Sequence, residues 1–260
     1  MKLVLGVACA VLAAAGAARA APTLVALTGS GALLVFDAEH PEAAAGIAVH
    51  GESGTLVGID LRPADRKLYG LTTTNEIYRI DPRTGEAKLL CSLTAPFDGG
   101  ARSGIDFNPQ ADRLRLVSSE GQNLRVNVEI GATAVDRPLA YAPGDPNAGR
   151  RPGIAASAYD HPVAGATTTK LYEIDAARDV LVVQDPPNDG VLRTVGPLGV
   201  DFAPEAGFDI VSLPTGEERA YAATGSTLYA IDLASGSATK LGVIGPGGDP
   251  IVSLSAAGTD

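Results

Sequence analysis

The stretch Gly104-Ile105-Asp106-Phe107-Asn108-Pro109 runs on through Asp112-Arg113-Leu114-Arg115 to Asn123-Leu124-Arg125-Val126-Asn127. It reads as strand, turn, strand, turn, strand, and weaker copies recur along the chain. Such self-similarity restricts the fold more than any single motif, because each copy must bury its apolar face against its neighbours. One recurring unit is apolar-Tyr-x-Ile-Asp followed by a turn. It stands at Leu33-Leu34-Val35-Phe36-Asp37, Ile77-Tyr78-Arg79-Ile80-Asp81, Asn123-Leu124-Arg125-Val126-Asn127, Leu171-Tyr172-Glu173-Ile174-Asp175 and Leu228-Tyr229-Ala230-Ile231-Asp232. The closing Asp or Asn can accept a hydrogen bond from the backbone N–H two residues on, which fixes the reversal into the next strand.

The intervals between these closing residues are 44, 46, 48 and 57 residues, and the two chain ends joined together supply a fifth of 45. A second unit leads each repeat: Gly58-Ile59-Asp60, Gly104-Ile105-Asp106, Gly153-Ile154-Ala155 and Gly207-Phe208-Asp209. Short β-branched and aromatic runs alternate with turn residues, and no stretch after the first twenty residues has a 3.6-residue apolar period, which argues for an all-β chain. Four short strands per 40–50 residues describe an all-β propeller, whose radial repetition protects sheet edges. Five blades are expected. Six is the alternative, if the 57-residue interval hides a hairpin around Leu181–Val195. The wrap predicts that Pro250–Leu254 forms the inner strand of the blade supplied otherwise by about Thr23–Ala48, so that the N- and C-terminal strands close the ring. Ala142–Gly149 and Asp185–Gly190 read as loops.

Met1-Lys2, an apolar run from Leu3 to Ala18 and the small-x-small triplet Ala18-Arg19-Ala20 have the layout of a secretory signal peptide. The run is shorter than the roughly 20 residues that span a bilayer as a helix. A lipid anchor at Cys9 would leave only a few apolar residues before the cysteine. Residues 1–20 are therefore expected to be removed, leaving 21–260 as one secreted or periplasmic propeller domain with no membrane span, acting as a monomer. That mature chain has 18 basic and 30 acidic residues, a formal charge of −12. Nucleic acid is excluded as a partner, because phosphate neutralisation needs clustered Lys and Arg. Cys91 has no second cysteine to pair with after cleavage and reads as a small core residue.

Two groups of residues carry candidate chemistry. Asp60, Asp106 and Asp209 recur at one place in three repeats, so they should converge on the propeller axis, where a ring of oxygens would suit Ca²⁺. The competing reading makes them turn caps or ion-pair partners of Arg62, Arg113 or Arg102. No other cofactor is suggested. The second group is Asn108 with Arg113, Arg115 and Arg125; Arg113 and Arg115 share one face of a strand and could clasp a carboxylate or phosphate. Their competing role is ion pairing between blades with Asp106, Asp112 or Glu120. His40, His50 and His161 lack metal-ligand spacing, and no nucleophile elbow is present. No residue marks a catalytic role.

The run from Gly104 to Asn127, with Ala142–Gly149, Ala164-Gly165-Ala166-Thr167-Thr168-Thr169-Lys170-Leu171-Tyr172, Asn188-Asp189-Gly190 and Val195–Phe202, resembles the bacterial domain of unknown function 4394 over about residues 23–255. The resemblance implies a propeller-like, exported protein and assigns no reaction. Together these readings favour a non-catalytic module that binds a small molecule or a protein. A metal-dependent, lactonase-like hydrolase working at the channel mouth is the alternative, and a structural role in the envelope is a third.

Overall fold

A computed structural model describes residues 21–99 and 103–257; the leader sequence, Cys9 and Arg102 lie outside them. In chain order the strands begin with β1 (Thr23–Thr28), β2 (Ala32–Asp37) and β3 (Ala45–Ala48). The second blade is β4 (Leu56–Arg62), β5 (Lys67–Thr72), β6 (Glu76–Ile80) and β7 (Ala87–Ser92). The third is β8 (Ser103–Asn108), β9 (Arg113–Ser118), β10 (Asn123–Val126) and β11 (Thr133–Val135). Next come β12 (Ala140–Tyr141), β13 (Ile154–Tyr159), β14 (Leu171–Asp175), β15 (Val180–Gln184) and β16 (Val191–Pro197). The fifth blade is β17 (Ala206–Ser212), β18 (Glu218–Thr224), β19 (Thr227–Ile231) and β20 (Ala238–Val243), and β21 (Ile251–Ala256) ends the series.

These strands form five blades, antiparallel but for one added strand in blade 4, a five-bladed β-propeller. Blade 1 has the order β21-β1-β2-β3, so the C-terminal strand lies innermost beside the N-terminal one and the ring closes there. A strand pair of this kind removes the two open edges that the chain ends would otherwise leave. Among the described residues no helix is long and apolar enough to cross a membrane.

The long interval belongs elsewhere than the repeat count placed it. Leu181–Val195 is part of β15 and β16 of blade 4, so a sixth blade is excluded. Leu171–Asp175 is the second strand of blade 4, whereas the four other copies of the unit are third strands or end one. The third strand of blade 4 is β15, followed by Asp185. Counted on third strands, the long interval runs from Asn127 to Asp185, 58 residues. Its excess is the segment around β12, which pairs in parallel with β16 and adds a fifth strand to the rim of blade 4. Asp175 deceived because it makes the same turn as the others. Its Oδ1 accepts from Ala177 N at 2.9 Å, as Asp37 accepts from Glu39 N, Asp81 from Arg83 N, Asn127 from Glu129 N and Asp232 from Ala234 N.

Four of the five blade interfaces hold continuous apolar clusters. Leu27, Leu33, Ile59 and Tyr78 join blades 1 and 2; Leu71, Ile77, Phe107 and Leu116 join 2 and 3. Ile174, Leu181, Phe208 and Ile210 join 4 and 5, and Tyr221, Leu228, Leu24 and Phe36 join 5 and 1. Each such side chain contributes about 1.5–3 kcal/mol when fully buried. The interface of blades 3 and 4 has the smallest cluster, and Arg115, Asn123, Ser157, Glu173, Asp175 and Gln184 are buried around it. Cys91, in β7, is half-buried and donates to the Val128 carbonyl.

The glycine of the Gly-x-Asp unit is explained by the crowding of inner strands at the axis. A Cβ on Gly104 would stand 2.8 Å from the Ser157 backbone nitrogen, and one on Gly207 would stand 2.7 Å from that of Leu254. Backbone cannot swing aside as a side chain can. Gly104→Ala and Gly207→Ala should therefore each lose about 1–3 kcal/mol of stability, lowering the thermal midpoint by several degrees. Gly46→Ala, where the nearest atom would be Leu34 Cδ2 at 3.7 Å, should leave it unchanged. Thermal unfolding of the three variants checks this, and equal midpoints would refute it.

Candidate functional site

The three aspartates of the Gly-x-Asp units meet on the axis. Asp60 Oδ2 accepts from Phe107 N at 2.7 Å, Asp106 Oδ1 from Tyr159 N at 3.1 Å, and Asp209 Oδ2 from Ala256 N. Each carboxylate thus binds an inner-strand amide of the next blade. Ser255 does the same for blade 1, its Oγ accepting from Leu61 N at 3.0 Å and donating to Asp60 Oδ1. By this register the equivalent position in blade 4 is Ala158, three residues past the Ala155 that the Gly153-Ile154-Ala155 match indicates. A bulge in β13 between Ile154 and Ala156 contributes to the shift. Ala158 has no acceptor, and the amide of Ile210 is held by Asp209 itself, whose Oδ1 accepts it at 2.7 Å, as Asp60 Oδ1 also accepts from Leu61 N at 2.7 Å. Neither Arg62 nor Arg113 pairs with these aspartates; Arg62 pairs with Asp112, Asp65 and Glu129.

Asp60, Asp106 and Asp209 are at most 5% exposed, and one oxygen from each lies within 4.8 Å of the other two. They line a cavity of about 160 Å³ together with Leu61, Pro63, Phe107, Pro162 and Ser212. Burial, then the Asp209 charge, pushes the Asp60 carboxyl well above the usual carboxylate range. Burial followed by the Asp60 and Asp209 charges does the same to Asp106. Burial raises Asp209 to about 7, against the amides of Ala256 and Ile210 that favour its anion. Three like charges at this distance cannot all ionise without a compensating cation. Among the described residues, Asp106 Oδ2 receives no hydrogen bond.

The second predicted group also assembles, beside the axis. Asn108, Arg113, Arg115 and Arg125 line a cavity of about 280 Å³ between blades 3 and 4, with Gln110, Tyr159, Thr169 and Asn188. The expected ion-pair partners are corrected. Arg115 and Arg125 share Asp136, at 2.7 Å each; Asp112 serves Arg62, and Glu120 pairs with Arg151. Burial alone would raise the Asp136 carboxyl, but the guanidiniums of Arg125 and Arg115 outweigh it and hold it low. Asp136 sits after β11, outside the repeated units, where no pattern in the sequence marks it.

The family model described as "Domain of unknown function (DUF4394)" matches residues 32–255. The chain belongs to this family. No curated protein sequence matches it. Among solved structures, it is similar to a structural genomics protein of unknown function from Bacteroides thetaiotaomicron VPI-5482, with 15% identity and a TM-score of 0.53. That match covers 91% of this chain and 62% of the other, so this chain spans less than two thirds of that relative. An auxiliary nutrient binding protein from Bacteroides ovatus ATCC 8483 matches with 15% identity and a TM-score of 0.44, covering 76% of this chain and 55% of the other.

This DUF4394 chain holds further polar groups that its repeats do not reveal. His161 Nδ1 stands 3.0 Å from Asp160 Oδ1 and 3.9 Å from Glu218 Oε2. The Asp160 hydrogen bond raises the imidazole above its ordinary value. Sequence spacing hides this trio, because Glu218 lies 57 residues from His161. Glu173 is fully buried, and among the described residues neither of its oxygens has a hydrogen-bond partner, nor does Ser157 Oγ on the neighbouring strand. Burial pushes Glu173 up to about 8.

The sign of that shift sets a pH dependence. A carboxyl with a folded value of about 8 keeps its proton in the native state while the unfolded chain loses it near 4.5. Stability is then complete below about pH 4.5 and falls as pH rises toward 8. Glu173→Gln removes the titration and keeps the shape. The midpoint of Glu173→Gln relative to the parent should climb between pH 5 and pH 8 and level off above, a gain on the order of a few kcal/mol. A difference that stays constant across this range would refute the assignment.

Proposed function

We propose that this protein is an exported, non-catalytic binding module whose ligand enters the axial cavity and is held there through a divalent, oxygen-seeking cation on Asp60, Asp106 and Asp209. The observation that carries this reading is the bare Asp106 Oδ2 on a residue only 4% exposed, facing two further buried carboxylates and an open cavity. Ca²⁺ takes six to eight oxygens at 2.3–2.6 Å, from carboxylates, carbonyls and water. Three carboxylates supply its charge, and water or ligand oxygens would complete its shell. Export rests on the layout of residues 1–20. The formal charge of −10, or −12 once residues 1–20 are removed, supports a cationic or neutral partner and argues against nucleic acid.

A second reading is a metal-dependent hydrolase, and one observation favours it. His161 has its imidazole held by Asp160, and the two residues after it, Pro162 and Val163, line the same cavity. A base on that loop beside a cation with an open position is what hydrolysis needs. His161→Gln would abolish turnover of a lactone or ester under this reading and change nothing under the first.

The test is the thermal midpoint of residues 21–260 in excess EDTA and in millimolar Ca²⁺. A ligand that binds only the native state at about 100 times its dissociation constant adds roughly 2.7 kcal/mol, a rise of several degrees for a domain of this size. Asp106→Asn keeps an acceptor for Tyr159 N but drops the charge, so it should fold and lose the rise. No rise with Ca²⁺, Mg²⁺ or Mn²⁺, or an undiminished rise in Asp106→Asn, would overturn the cation site.

A further inference from the structure

We propose a second, separate binding site in the cavity between blades 3 and 4, which takes the carboxylate or phosphate head of a small hydroxylated organic anion. Its charge balance is the first argument. Arg115 and Arg125 share the single carboxylate of Asp136, so this trio keeps one net positive charge. Arg113 adds a second; its Nη1 donates to the Asp112 and Ala111 carbonyls, and among the described residues no carboxylate lies within ion-pair distance of it. Asp112, the nearest acid in sequence, gives its oxygens to Arg62. A cavity whose guanidiniums outnumber its ion-paired carboxylates, with Arg113 sharing only the field of an Asp112 already bound to Arg62, is a local inversion of sign in a protein of net charge −10.

Its construction is the second argument. Arg115 is only 2% exposed, and its guanidinium is fixed by Tyr159 Oη, Asn123 Oδ1, Asp136 Oδ2 and Asn188 Oδ1 at 2.6–3.3 Å. Arg125 grips Asp136 with two parallel bonds of 2.7 and 2.9 Å. A buried cation so tightly positioned is costly to desolvate and contributes little to stability compared with apolar packing. The other four interfaces use larger apolar clusters; this one keeps only the small cluster around Val117, Ile154 and Leu192 and adds a polar cavity of about 280 Å³. Such a volume sits near the lower end of small-ligand sites. Guanidinium forks match planar carboxylates and phosphates. Asn188 Oδ1 is taken by Arg115, Gln110 Nε2 by the Thr167 carbonyl and the Thr169 hydroxyl proton by the Asp160 carbonyl. The remaining amide and hydroxyl atoms of these residues and of Asn108 match a scaffold bearing hydroxyls.

The experiment measures the thermal midpoint of residues 21–260 in EDTA, which keeps the axial aspartates free of divalent cations. Glucuronate, glucose 6-phosphate, inorganic phosphate and glucose are each added at 10 mM, with sodium chloride matching ionic strength. Glucuronate or glucose 6-phosphate should raise the midpoint by several degrees over the chloride control, and the better of the two identifies the head group. Glucose should not. Arg113→Gln, which removes no partner of a buried acid, should keep the ligand-free midpoint and lose the rise. The proposal fails if neither glucuronate nor glucose 6-phosphate exceeds chloride, or if Arg113→Gln responds as the parent does. Because the site shares no residue with the axial carboxylates, its failure and that of the cation reading are read from different additions.

Discussion

Five inner strands converge on the propeller axis, and each turns toward its neighbour an edge whose amides have no strand to pair with. Buried N–H groups must find acceptors, and at the level of Leu61, Phe107, Tyr159 and Ala256 acceptors come from side chains one blade back, while Ile210 uses its own neighbour Asp209. Asp60, Asp106, Asp209 and Ser255 fill that role. The same convergence dictates small residues two positions earlier, Gly58, Gly104, Ala156, Gly207 and Ser253, because a larger side chain would strike the next strand. The Gly-x-Asp unit is therefore the imprint of one geometric demand, repeated around a ring.

That demand does not require charge. Across the blade boundary Ser255 meets Leu61 N with a neutral hydroxyl, and Ala158 meets Ile210 N with nothing; the carboxylates of Asp60 and Asp209 reach those two amides from within their own strands. Serine or asparagine could stand at all five positions without mutual repulsion. Three aspartates lie within 4.8 Å instead; burial raises all three, the Asp209 charge adds to Asp60 and the Asp60 and Asp209 charges add to Asp106, whose Oδ2 stays bare. That excess of charge over structural need is the basis of the proposed cation site, since buried like charges destabilise a fold unless a cation compensates them.

The fold was legible in the sequence because a propeller writes its period into the chain. Asp37, Asp81, Asn127 and Asp232 each mark the end of a third strand, and the wrap of the ends follows from the arithmetic of the ring. Blade 4 was read out of register for two physical reasons. Its inner strand has lost both the glycine and the aspartate, and its second strand ends in an Asp175 turn that imitates a third. The axial aspartates were legible as repeats, and Ser255 follows them by extending the terminal wrap one residue. Asp136, Glu173 and the His161 trio were not, because contacts between blades join residues tens of positions apart with no period to announce them.

These illegible features fall largely in one place. The bulge in β13, the added strand β12, the unpartnered Glu173 and the shared Asp136 all belong to the junction of blades 3 and 4. In a ring of near-equivalent repeats, every interface faces the same packing problem, and four of them share an apolar solution. The fifth departs in sequence, in register and in polarity together. Drift would loosen packing without positioning a buried guanidinium on four partners. Both cavities are lined by loops that join first and second strands, Pro63 at one and Gln110 at the other. One rim of the propeller thus presents an acidic pocket on the axis and a basic one beside it, a pairing of opposite charges that the repeat alone would never generate.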